Sequence, residues 1–136
     1  MRSASLTRCA ALAFGLVNLS TAALLFVGVF VELPARWWPV DVGTSLLVVL
    51  EVVAAVGLMV GARWGVLLAR VAAATALLLG LSAVSLLAVT ASWLAGVYGP
   101  VGKGGGAVLG LVAALVFPYC VLLPAVELWW LRERTP

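Results

Sequence analysis

An all-α integral membrane protein, folded as a four-helix up-and-down antiparallel bundle, is expected on three grounds. Four apolar runs are each long enough to cross lipid as a helix, charges are scarce, and basic residues gather at alternate ends of those runs. Hydrophobic residues make up 65% of the chain and charged residues 10%, with a mean hydropathy of +1.26. A water-soluble domain carries about a quarter charged residues, so this composition calls for a lipid solvent.

A helix needs about 20 residues to cross about 30 Å of hydrocarbon. The first run, residues 9–31, lies between Arg8 and Glu32. Its 23 residues exceed the core of a signal peptide, about 7–15 residues, and no small-x-small cleavage site follows, so it reads as a retained helix. The second run, 42–62, is interrupted only by Glu51; the third, 71–94, follows Arg70; the fourth, 106–131, ends at Arg132. Helices satisfy their backbone polar groups internally, as hydrocarbon requires. The connections 32–41, 63–70 and 95–106 are short, which makes successive spans antiparallel neighbours and leaves no extramembrane domain.

Orientation follows from the basic residues. An N-terminus inside puts Arg2, Arg8, Arg63, Arg70, Arg132 and Arg134 in the cytoplasm and only Arg36 and Lys103 outside, a clear positive-inside bias. Both termini are then cytoplasmic. Tryptophan gives an independent check: Trp37, Trp38 and Trp93 fall at outer span ends, and Trp64, Trp129 and Trp130 at inner ends. Amphipathic indoles concentrate at such interfaces. The expected location is a cell membrane, the inner one in a bacterium.

Glu51 is the most informative residue. It stands twelve residues from Arg63, roughly 18 Å deep at 1.5 Å per residue. Asn18, Ser82 and Tyr119 reach about the same depth from Arg8, Arg70 and Arg132. Ala11, Gly15, Asn18 and Ala22 form one small or polar stripe; Thr44, Glu51, Ala55 and Ala62 form a second; Thr75, Ser82 and Ser85 form a third. The simplest packing turns these stripes inward and gathers Glu51, Asn18, Ser82, Ser85 and Tyr119 into one intramembrane polar cluster. A carboxylate at the bilayer centre costs about 2.5–3.5 kcal/mol on insertion scales. Glu51 must therefore be neutral, bind a cation or meet a partner. The expectation is a neutral carboxyl bonded to Asn18 or to a serine of the third helix. Glu127 shares a stripe with Ala113 and Cys120 that would turn it into the bundle, but, five residues before Arg132, it is expected at the inner interface beside an arginine.

In the fourth run, Pro118 and Pro124 lack N–H groups and free the carbonyls of Ala114 and Cys120, so a kinked helix is expected. "YGPVGKGGG" (Tyr98–Gly106) resembles a phosphate loop only superficially: the first glycine of that motif and its Ser or Thr after lysine are missing. It is expected to be an outer hairpin turn. Gly57, Gly61 and Gly65, like Ala72, Ala76 and Gly80, have the spacing at which membrane helices approach closely.

The composition excludes several classes. There is no histidine, the two cysteines Cys9 and Cys120 are distant in sequence, and no basic block suits nucleic acid. No cofactor, metal or catalytic residue is expected. The expected role is a non-enzymatic subunit or accessory factor, possessing the lipid bilayer as solvent and either another membrane protein or a second copy as partner. The alternative is a proton- or cation-handling transporter or channel element that uses Glu51. A lipid- or quinone-binding enzyme has least support, resting only on Tyr119, Cys120 and Glu51.

Overall fold

The computed structural model describes residues 4–32, 34 and 37–133. Arg2, Arg36 and Arg134, which entered the charge count, lie outside the described residues. All elements among the described residues are helical: α1 (Ala4–Phe26), continued by a π-helical segment (Val27–Glu32), α2 (Trp38–Val60), α3 (Arg63–Val97), α4 (Gly99–Phe117), a second π-helical segment (Pro118–Leu122) and α5 (Leu123–Arg132). Four stretches are long and apolar enough to cross a membrane: Arg8–Glu32, Trp38–Val60, Arg63–Val97 and Gly99–Arg132. These four stretches make the chain a candidate membrane protein.

Two compact units divide the chain, one running up to Ala72 and the other from Ala73 to Glu133. In the first, α1 packs on α2 through small residues. A side chain at Gly15 would meet Met59 and the Ala55 carbonyl, and one groove brings Arg8, Ala11 and Leu12 beside Leu58 and Gly61. The start of α1 therefore lies against the end of α2, so the pair is antiparallel.

The α2–α3 connection explains the glycine series. Trp37 precedes α2 in extended conformation, with Pro39 in the first turn where its missing N–H costs nothing. At the other end Gly61 adopts φ 74°, ψ 25°, a left-handed conformation that costs other L-residues about 1–2 kcal/mol. Gly61 N–H donates to the Leu58 carbonyl at 3.1 Å and Ala62 N–H to the Gly57 carbonyl at 3.0 Å, closing the helix. The chain then doubles back, and Gly57 and Gly65 touch backbone to backbone. Gly57 and Gly65 thus make a close approach between α2 and α3, and Gly61 makes the turn between them.

In the second unit α3 and α4 are also antiparallel, since Gly102 packs on the Leu94 carbonyl, Gly106 on the Ala91 carbonyl and Gly80 on that of Cys120. The expected outer hairpin loop is largely helix. Only Tyr98 and Gly99 break the chain, Gly99 at φ 57°, and Pro100 opens α4. The glycine run belongs to the helix because Gly102 and Gly106 let its backbone rest on α3. In hydrocarbon, where apolar side chains gain nothing from leaving lipid, such close contact is what holds helices together.

The kink expected at the prolines takes the form of a widened turn. After Phe117 the chain runs through the π-helical Pro118–Leu122, with Leu123 N–H bonded to the Pro118 carbonyl, before α5 resumes. The Cys120 carbonyl, deprived of its donor by Pro124, abuts Gly80. A side chain at Gly80 would collide with it.

Candidate functional site

Glu51 and Asn18 come from facing helices of the first unit. On α2, Thr44, Glu51, Ala54, Ala55 and Leu58 are buried; on α1, Gly15, Asn18 and Ala22 are buried. Both sets follow the helical period and hold Gly15, Asn18 and Ala22 of one stripe read from the sequence and Thr44, Glu51 and Ala55 of the other, whereas Ala11 is half-buried and Ala62 lies beyond the end of α2. Glu51 and Asn18 are each 3% exposed. The register set by Gly15 against Ala55 brings the pair to one level. Asn18 is three residues beyond Gly15, about 4.5 Å, and Glu51 four before Ala55, about 6 Å.

The other three expected members belong to the second unit. Ser82 and Ser85 of α3 are exposed, and Tyr119, in the π-helical segment, is 71% exposed. Ser82 Oγ donates to the Leu78 carbonyl at 2.8 Å, within its own helix. Of the hydroxyl stripe of α3, Thr75 is half-buried while Ser82 and Ser85 are exposed.

One buried acid is placed differently from expectation. Glu127 is 2% exposed and Leu131, one turn on, is fully buried. They continue a buried stripe through Ala113, Val121 and Pro124. The spacing of Ala113, Cys120 and Glu127, seven residues apart, carried that signal in the sequence; proximity to Arg132 pointed the other way.

Chemically, the first unit offers a carboxyl and a carboxamide at one level between two apolar helices. Such a pair can share hydrogen bonds, or hold a proton or a cation. Cys9 is exposed and Cys120 half-buried, and both are free thiols. No family model matches the chain, and neither a curated protein nor a solved structure matches it.

Proposed function

We propose that the protein is a non-enzymatic, multi-pass subunit of a membrane assembly, crossing a cell membrane four times with both ends in the cytoplasm. The orientation rests on the basic residues: among those described, Arg8, Arg63 and Arg132 stand near the inner ends, Arg70 two turns inside α3 from the same end, and Lys103 near the outer end. The observation that carries the subunit reading is Tyr119. It stands thirteen residues before Arg132, roughly 20 Å deep, on the outside of its helix. A phenol facing hydrocarbon loses the hydrogen bonds that water supplied, at a cost of about 2–7 kcal/mol by reference state. A partner chain that covers it removes that cost. Leu122 and Leu115 flank the same exposed surface, giving a partner an apolar rim.

The test is site-specific photocrosslinking in cells. A benzoyl-phenylalanine at position 119 is expected to capture a second polypeptide, either another membrane protein or another copy of this chain. The same probe at Val101, an exposed site at the outer end, serves as the comparison. Adducts to lipid alone at position 119 contradict the reading.

A second reading, a proton- or cation-handling element, is favoured by Glu51, a carboxyl 3% exposed between apolar helices. Liposomes with the purified protein test it: flux that disappears in Glu51→Gln supports it, and equal flux in both removes it.

A further inference from the structure

One groove in the first unit has a chemistry that neither reading uses. It lies where α1 begins and α2 ends, has a volume of about 620 Å³, and falls within the usual size range of small-molecule sites. Its walls are Ala11 and Leu12 of α1 and Leu58, Met59 and Val60 of α2. Among the described residues of the lining, Arg8 supplies the charged side chain. A groove that sets apolar side chains beside a guanidinium is amphipathic in the same sense as a phospholipid.

We propose that this groove holds an anionic phospholipid, its phosphate on Arg8 and an acyl chain along Leu12, Met59 and Val60. The inference rests on the proposal that α1 and α2 cross a membrane, which puts Arg8 and Gly61 at one lipid–water interface. Arginine suits the headgroup because its planar fork donates two parallel hydrogen bonds to phosphate oxygens. Leu12 is 49% and Val60 75% exposed, so apolar surface remains for a chain to cover. Met59, unbranched and polarizable, adapts to a chain of variable shape. The rival role for Arg8 is to complement the negative C-terminal end of α2. Gly61 and Ala62 cover the Leu58 and Gly57 carbonyls of that end with their own N–H groups. That rival predicts no selectivity among lipids.

Native mass spectrometry of the full chain in detergent, equilibrated with equimolar phosphatidylglycerol and phosphatidylcholine, separates these roles. The wild type is expected to retain phosphatidylglycerol about fivefold over phosphatidylcholine: both carry the phosphodiester, but the ammonium of phosphatidylcholine offsets its charge beside Arg8, and one basic residue draws an anionic lipid by about 1 kcal/mol. Arg8→Gln brings the ratio near one, Arg8→Lys restores part of it, and Arg132→Gln leaves it unchanged. Leu12→Trp fills the groove, keeps the charge and reduces retention of both lipids. Equal retention by the wild type, an undiminished preference in Arg8→Gln, or a preference lost in Arg132→Gln overturns the proposal. Alkaline carbonate extraction of cell membranes reports the underlying reading separately. Release of the protein overturns both, whereas a retained protein without lipid preference overturns the groove alone.

Discussion

The hydroxyls of Ser20, Thr21, Ser45, Ser82 and Thr90 each donate to the carbonyl four residues earlier in their own helix, at 2.7 to 3.0 Å. Such back-bonding satisfies a serine or threonine without a neighbour, so a hydroxyl in a membrane helix does not imply a polar interior. For that reason Ser82→Ala is expected to shift stability by no more than about 0.5 kcal/mol, the range of a change at an exposed site. A carboxyl has no comparable internal solution. At Glu51, 3% exposed, the amide of Gln keeps size and hydrogen-bonding capacity, so Glu51→Gln is expected to fold as the wild type does. Glu51→Arg adds bulk to a filled slot and charge to the hydrocarbon, costing about 3 kcal/mol or more. Thermal unfolding followed by circular dichroism in detergent checks all three. A Ser82→Ala loss as large as that of Glu51→Arg contradicts the account.

Contacts between elements are made chiefly by absent side chains. Gly80 lets α3 rest on the Cys120 carbonyl, whereas Gly110 of α4 faces open space. The same substitution therefore has opposite signs. Gly80→Ala is expected to destabilise by about 1–3 kcal/mol through overpacking, and Gly110→Ala to stabilise by up to about 1 kcal/mol through helix propensity. Paired melting curves measure the difference; equal shifts contradict the packing described. Gly61→Ala, at φ 74°, is expected to lose about 1–2 kcal/mol for backbone reasons alone. The helices themselves were legible in the sequence, because hydropathy over about 20 residues needs no knowledge of neighbours. The Asn18 and Glu51 faces were legible for a related reason, as small and polar residues recur there at the helical period. The α3 face was not, since Ser82 and Ser85 read alike whether they point inward or bond back to their own helix. The glycine run failed differently: glycine breaks helices in water, yet at Gly102 and Gly106 its lack of a side chain allows the contact that keeps α4 helical. The burial of Glu127 was legible in part: its spacing from Ala113 and Cys120 pointed inward, and nearness to Arg132 outweighed that signal.

Among the described residues, many large apolar side chains are exposed, and most of the buried apolar ones are alanines. Leu24, Leu46, Leu78 and Leu111 are each more than 60% exposed, while Ala54, Ala55, Ala69 and Ala72 are fully buried. Water would reverse that arrangement, since burying leucine gains about 1.5–3 kcal/mol; lipid does not, and helix contact then selects small residues. Tryptophans mark the helix ends: Trp37 and Trp38 open α2, Trp64 opens α3, Trp93 stands near its end beside Tyr98, and Trp129 and Trp130 near the end of α5. On this account, the helix connections alternate between the two faces of the membrane. Cysteine accessibility tests that most directly. In a background with Cys9 and Cys120 changed to Ser, single cysteines at Gly61 and Gly99 are exposed to a membrane-impermeant maleimide in intact cells. Labelling at Gly99 without labelling at Gly61, with Gly61 labelled only once the membrane is opened, is the predicted result. Labelling of both positions from the same side would contradict the four-span account.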